Sequence, residues 1–311
     1  MDEEFILTDR LDVIKKTIEK YGEENFYISF SGGKDSTILH YLIDMAIPNN
    51  RIPRVFINTG IEYIDMVKHV KELAKNDDRV VIFNSNVNIT QMLIKYGYPF
   101  KSKEHSHKVS VYQHSGTGKT VKSYLEGIKP DGAKSFIKCP KILEYQFTNK
   151  NTLKISDRCC HKLKKEVVHR YEKENNKNIS IIGLRSAERG TRMQHKGCVV
   201  FDKENKLKKF KPINPCTDEW CEWFIEKYNV KLCKLYYPPF NFKRTGCAGC
   251  PFALELQDQL NVMRKYLPVD YVKCEKLWKP VYDEYRRLNY RLDNFQQLSM
   301  YDILERRRLN G

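Results

Sequence analysis

Phe26-Tyr27-Ile28-Ser29-Phe30-Ser31-Gly32-Gly33-Lys34-Asp35-Ser36-Thr37 is the stretch on which the reading of this chain turns. An apolar run gives way to two glycines and a polar turn, and Ile38, Leu39, Leu42 and Ile43 then follow at helical spacing. The pattern predicts a buried strand over Phe26–Phe30, a tight turn, and a helix from Asp35 to about Ala46. Glycine reaches backbone angles closed to other residues, which lets consecutive N–H groups face one point. The helix adds its unpaired N-terminal amides and the positive end of its dipole. With the Lys34 ammonium and the hydroxyls of Ser31, Ser36 and Thr37, this makes a cradle for phosphate, pyrophosphate or sulfate. A turn that merely joins strand to helix is the plainer alternative, and the full Ser-Gly-Gly-Lys-Asp-Ser string disfavours it. The spacing is not that of a Walker A loop.

Working outward, strands and helices alternate. A helical leader (about Leu11 to Tyr21) precedes the first strand. Arg54–Asn58 reads as a strand, Tyr63–Lys75 as a helix, Arg79–Asn84 as a strand and Ile89–Tyr96 as a helix. Such alternation predicts an α/β fold built on a doubly wound, mostly parallel sheet, with ligands at the carboxyl ends of its strands. The alternation lapses between Gly97 and Asp157, a basic, turn-rich stretch read as an insertion or lid. It resumes with a helix from Cys160 to about Glu174, a strand over Ile179–Gly183 and a helix near Asp218–Tyr228. The Tyr236-Tyr237-Pro238-Pro239 breaker and further helical segments follow. The expected organisation is 1–96 as the first half of a nucleotide-binding domain, 97–157 as the insertion, 158–252 as the second half, and 253–311 as a helical C-terminal region.

The 311 residues carry a net charge of +16. Residues 101–174 hold 17 Lys/Arg against 8 Asp/Glu and so supply +9 of it. A basic surface of this kind attracts anionic nucleotides or tracks a nucleic-acid backbone, and equally serves as a solvated face. The acidic start and the lack of a long apolar run give the expectation of a cytoplasmic protein with no membrane partner. Ten cysteines in such a chain point to metal or redox chemistry before disulfides.

Cys159-Cys160 and Cys247-Ala248-Gly249-Cys250 are the second feature. A glycine-flanked Cys-x-x-Cys turn aims two thiolates at one centre, and an adjacent pair at a helix start supplies two more. Four thiolates suit zinc or a [4Fe–4S] cluster, and spacing alone favours zinc. Cys216, Cys221, Cys233 and Cys274 read better as buried reduced thiols. Two further patterns are decoys. His114-Ser115-Gly116-Thr117-Gly118-Lys119-Thr120 ends like a Walker A loop but has Gln113 where the first glycine belongs, and His105 and His107 read as a polar surface segment.

The Ser31–Ser36 string resembles the pyrophosphate-binding loop of the adenine-nucleotide alpha-hydrolase superfamily, which includes ATP pyrophosphatases, tRNA thiolases and phosphoadenylyl-sulfate (PAPS) reductases. The chain is most similar to the PAPS reductase family over roughly Phe26 to Phe252. Iron–sulfur members of that family carry a Cys-Cys pair upstream of a Cys-x-x-Cys. The resemblance therefore implies a [4Fe–4S] cluster, with zinc as the alternative, on Cys159, Cys160, Cys247 and Cys250, and it places Lys164 near the cluster. It implies nucleotide contacts from Ser29, Ser31, Gly32, Gly33, Lys34, Asp35 and Ser36, and from the Asn58-Thr59-Gly60 turn after the second strand. Gly183, Arg185, Glu188 and Arg192 match the family's arginine-bearing loop, in which Arg189 replaces a serine.

Three functions follow from the resemblance. The first is sulfur reduction on PAPS or adenylyl sulfate (APS), with a thiol donor such as thioredoxin. The family's terminal Glu-Cys-Gly-x-His segment does not follow Cys274, so that reaction would need another nucleophile, Cys274 or Cys198. The second is ATP-dependent adenylylation of a nucleic acid followed by sulfur insertion, with Mg2+ accompanying ATP, as in DNA phosphorothioation or tRNA thiolation. The third is a non-catalytic nucleotide or redox sensor. Lys34, Asp35 and Cys274 are the catalytic candidates.

Overall fold

The computed structural model describes residues 2–129, 131–186 and 197–294. In chain order its elements begin with α1 (Glu3–Tyr21), β1 (Phe26–Ser29), α2 (Lys34–Ala46), β2 (Arg54–Asn58), α3 (Ile64–Asn76) and β3 (Val80–Asn84). Then come α4 (Ile89–Tyr96), α5 (Lys103–Ser115), α6 (Lys119–Glu126), α7 (Arg158–Cys160) and α8 (Glu166–Glu174). The last are β4 (Ile179–Ile181), β5 (Val199–Phe201), β6 (Leu207–Phe210), α9 (Asp218–Lys227), α10 (Leu256–Tyr266), α11 (Pro268–Leu277) and α12 (Lys279–Arg287). The chain divides into two compact units, one of residues 1–86 and 164–246, the other of 87–163 and 247–311. The expected segments 97–157 and 253–311 thus fall in one unit, while 1–96 and 158–252 are each cut.

The first unit holds a six-stranded sheet in the order β3-β2-β1-β4-β6-β5. All neighbours are parallel except β5 and β6. This is the α/β, mostly parallel sheet that the alternating pattern predicts. The β5–β6 hairpin is an addition that the pattern does not announce. Strand β1 lies between β2 and β4, with Ile28 opposite both Arg54 and Ile181. The turns that leave β1, β2 and β4 therefore emerge side by side, where α/β sheets take their ligands.

Burial explains why these segments become these elements. Phe26, Tyr27 and Ile28 are at most 1% exposed, and Ile38, Leu39, Leu42 and Ile43 of α2 are fully buried. Each such side chain contributes roughly 2 kcal/mol as an upper value. Helix α1 begins at Glu3, earlier than its apolar spacing suggests, because Asp2 caps it by accepting from the Glu4 amide. An ionic cluster around the buried Arg54 joins α2, β2 and the turn before β3. Arg54, with no exposed surface, donates to Asp44 at 2.6 Å, Asn50 at 2.8 Å and His40 at 3.1 Å. Arg79 adds a second guanidinium on Asp44 at 2.7 Å and pairs with Asp77 at 2.8 Å.

The second unit is helical in its described part. The stretch 97–157, whose sequence shows no regular alternation, carries the helices α5 and α6. A parallel bridge between Tyr98 and Ile155 closes its ends, and the Lys101 amide donates to the Tyr285 hydroxyl of α12 at 2.6 Å. His105 corrects a surface reading, since it is fully buried. Its ring nitrogens meet the Tyr124 hydroxyl at 3.0 Å and Gln146 Oε1 at 2.7 Å, and burial pushes its pKa down to about 4. His107 does lie near the surface, 3.7 Å from Asp157. The Gly116–Gly118 turn joins two helices, so the Walker-like string has no strand ahead of it. Among the described residues no helix is long and apolar enough to cross a membrane.

Candidate nucleotide cradle and cysteine turn

Strand β1 ends at Ser29, and the chain turns through Gly32 at φ +70° into α2, with Gly33 as its cap. An added Cβ at Gly32 would stand 2.5 Å from Met66 Sδ, so both the conformation and the close approach require glycine. The loop amides are held by hydroxyl oxygens. Ser31 N–H donates to Ser36 Oγ at 3.2 Å, Gly33 N–H to Ser31 Oγ at 3.2 Å, and Lys34 N–H to the Tyr236 hydroxyl at 3.2 Å. Ser36 Oγ and Thr37 Oγ1 turn back onto Gly33 O at 2.9 and 3.0 Å. Hydroxyl acceptors rotate and exchange, so these amides are aligned yet available to an anion's oxygens.

Strand β4 carries Gly183 and Arg185 to the same end of the sheet. A Cβ on Gly183 would meet Asp35 at 2.9 Å, so the turn lies directly against the first turn of α2. Arg185, 4% exposed, donates from Nε to Asp35 at 3.0 Å and from Nη2 to Asp218 at 2.6 Å. Burial opposes its charge, and the two carboxylates more than offset that, so the guanidinium stays protonated. The hydrogen bond from Arg185 in turn holds Asp218 below the usual carboxylate range. Arg185 Nη1 is buried with no hydrogen-bond partner among the described residues. Glu188 and Arg192, and Arg189 between them, lie outside the described residues.

After β2, Asn58-Thr59-Gly60 forms a tight turn with Gly60 at φ +82°. Glu62, 6% exposed, accepts from the Thr59 amide at 2.9 Å and its hydroxyl at 2.7 Å, and Lys164 Nζ stands 4.0 Å from the same carboxylate. Asn58 donates to Asn84 at 2.9 Å, tying the turn to the end of β3. The sequence gives no sign of Tyr236, Thr245 or Asp218 as site residues. Tyr236 reaches the loop across 202 positions of chain, and only the fold creates that contact.

The cysteine pairs share the second unit. Cys159 is 5% exposed at the start of a helical run that passes through a π turn over His161–Lys165. Cys247 O accepts from the Cys250 amide at 3.3 Å, closing the turn, and Gly249 within it takes φ +57°. Aromatic residues from the C-terminal helices grip that turn. Trp278 Nε1 donates to Ala248 O at 3.1 Å, the Tyr282 hydroxyl to Gly249 O, and the Tyr285 hydroxyl to Pro251 O at 2.8 Å. Cys274 packs beneath it, with its Sγ 2.9 Å from where a Gly249 Cβ would be. Cys274 is 2% exposed, and burial pushes its thiol up to about 12. Cys216, Cys221 and Cys233 are buried as expected, and none of the ten cysteines is in a disulfide. Among the described residues no three His, Cys, Asp or Glu side chains converge as a metal site. In kind the four thiols fit a thiophilic centre, and the clamped turn presents two of them on a fixed backbone.

The glycine–lysine loop thus stands at the end of a central strand of a mostly parallel sheet. The sequence model of the phosphoadenosine phosphosulfate reductase domain matches residues 25–129 and 131–253, and the chain belongs to that family. An uncharacterised protein of Methanocaldococcus jannaschii is 37% identical over 93 residues, which are 29% of this chain and 22% of that one. This chain thus spans under a quarter of that relative's length. Among solved structures, PAPS reductase from Candida auris in a phosphate complex is similar at a TM-score of 0.41 and 14% identity, covering 76% of this chain and 93% of that one. A U34-tRNA thiolase from Methanococcus maripaludis with its [4Fe–4S] cluster is similar at a TM-score of 0.40 and 14% identity, covering 90% and 80%.

Proposed function

We propose that the chain binds an adenine nucleotide or sulfonucleotide through Ser31–Ser36 and acts in sulfur reduction or transfer. The alignment of the Ser31, Gly33 and Lys34 amides on exchangeable hydroxyls, beside a charged and buried Arg185, carries this reading. An incoming phosphate or sulfate oxygen takes the place of a hydroxyl at each amide, and the α2 dipole and Lys34 supply positive charge. Asp35 acts by holding Arg185 in place rather than by taking a proton, since its carboxylate already accepts from that guanidinium. Asn58, Thr59 and Gly60 border the nucleotide, with Glu62 fixing the turn.

Cys159, Cys160, Cys247 and Cys250 are the residues that would hold a [4Fe–4S] cluster, with zinc as the alternative. When bound, such a cluster supplies a site for electrons or for sulfur. In the reductive form of this reading a dithiol such as thioredoxin supplies the electrons. Cys274 is not assigned as the nucleophile, because a buried thiol pushed up to about 12 carries almost no thiolate at neutral pH.

One observation favours ATP-dependent sulfur insertion as the second reading. Phe136 is fully exposed on a segment bearing Lys129, Lys134, Lys138 and Lys141. An exposed ring among lysines suits a single-stranded nucleic acid, with base stacking and phosphate contact together. Pyrophosphate release from ATP by anaerobically purified protein, with and without DNA or tRNA, tests the choice. Stimulated release supports insertion with Mg2+-ATP. No release, with tight binding of PAPS or APS, supports sulfonucleotide reduction. Nucleotide binding without turnover of either substrate would make the chain a sensor.

A further inference from the structure

The Tyr236–Thr245 hydroxyl pair lies on the cradle, in a segment the sequence marks only as a breaker. A 3-10 turn over Lys234–Tyr236 sets Tyr236, and the Phe242 amide donates back to Leu235 O at 2.9 Å, returning the chain so that Thr245 meets Tyr236. Lys234 Nζ pairs with Asp65 of α3 at 3.0 Å, which holds the turn on the sheet's helical layer. The Tyr236 and Thr245 hydroxyl oxygens are 2.6 Å apart, and a Cβ on Gly33 would meet them at 3.2 and 3.8 Å. Both therefore border the loop at Gly33.

A count of protons shows what the pair offers. It has two O–H protons, and their mutual bond uses one. The Lys34 amide donates to Tyr236 and so occupies a lone pair, not a proton. Whichever way the mutual bond runs, one O–H proton is left to donate at the loop. Arg185 Nη1, on a guanidinium that holds the first turn of the same helix, is a second donor with no partner among the described residues. An O–H left free beside the loop amides suits an oxygen atom of a bound anion.

We propose that Tyr236 and Thr245 are ligand-binding residues of the cradle, donating one O–H to an oxygen of a bound pyrophosphate or sulfate group while accepting the Lys34 amide. This rests on the cradle reading above. It adds a neutral donor to the loop's charged and backbone donors, and assigns it to residues far away in sequence.

Calorimetric titration with inorganic pyrophosphate, on wild type and on Tyr236→Phe, Thr245→Val, the double variant and Lys34→Ala, tests it. The double variant Tyr236→Phe/Thr245→Val removes the donor and is expected to weaken binding about tenfold, as for one lost hydrogen bond to a charged group. By the same count each single variant keeps one O–H, freed from the mutual bond, so Tyr236→Phe and Thr245→Val should each lose less than the double, and Thr245→Ser should bind like wild type. A thermal melt near wild type shows that the variants fold. If the double variant binds like wild type while Lys34→Ala does not, the pair has no such role and the cradle stands. If Lys34→Ala also binds like wild type, the cradle reading falls and this proposal with it.

Discussion

Gly32→Ala isolates what the loop's geometry demands. An L-residue at φ +70° costs about 1–2 kcal/mol relative to glycine. The new methyl would stand 2.5 Å from Met66 Sδ and 3.0 Å from Val70 Cγ2. Met66 and Val70 are 1% and 0% exposed, so neither can swing into solvent. Overpacking of this kind costs about 1–3 kcal/mol more, for a total of about 2–5 kcal/mol. Gly33 is the internal control. It has φ −77°, and its methyl would meet the Ser31, Tyr236 and Thr245 hydroxyls at 3.1, 3.2 and 3.8 Å. Gly33→Ala should therefore cost about 1 kcal/mol, the usual loss for alanine at a helix cap. Urea denaturation followed by tryptophan fluorescence measures both. Equal losses for the two variants would refute the argument from φ and close packing.

Acid should weaken the first unit through its ionic cluster. Burial raises the pKa of Asp44, but hydrogen bonding to Arg79 and the charge of Arg54 outweigh it, leaving a net depression. A depressed carboxylate contributes stability above its unfolded pKa and loses it as pH falls through the folded value. Burial, then Arg54, depresses His40, so stability also falls as pH drops below the unfolded histidine value of 6.5. Both effects have the same sign. Asp44→Asn should flatten the stability–pH curve only in the carboxylate range, below the unfolded aspartate value of 3.8, and should leave the histidine part at least as steep, because Asp44 holds the His40 pKa up. It should also cost about 3 kcal/mol at neutral pH by leaving Arg54 buried without its charge partner. An acid limb below pH 3.8 as steep as wild type would contradict this. For the cysteine turn, anaerobically purified protein should be brown and carry iron, and Cys247→Ser should lose both. A variant with full colour and iron would remove Cys247 from the ligand set.

The parts of the fold that sequence announced are those where local pattern and tertiary environment agree. Strands β1, β2 and β3 are apolar, β-branched or aromatic runs with clear breaks, and they occur where their pattern places them. The helix α5 was hidden because its buried face is mostly polar. His105 and Ser106 are buried and paired with Tyr124, Gln146 and the Phe100 backbone, which leaves Val109 as the buried apolar residue of the helix, too little to mark a period. The β5–β6 hairpin was hidden for a different reason. In β6 only Leu207 and Phe210 are buried, with Lys208 and Lys209 exposed between them, which breaks the two-residue alternation. At the site, the Ser31–Ser36 loop and Arg185 were legible because they follow their own strands. Tyr236, Thr245 and Asp218 were not, because nothing local to them marks a loop that only the folded chain brings near.

Calorimetric titration of ATP and of PAPS into wild type and Lys34→Ala tests the central claim most directly, that the Ser31–Ser36 loop is the binding site for an adenine nucleotide's anionic end. The account predicts saturable binding of at least one of the two by wild type, weakened about tenfold or more in Lys34→Ala, where a charge-assisted contact is gone. Binding of equal strength in both proteins, or of neither nucleotide to wild type, would contradict it.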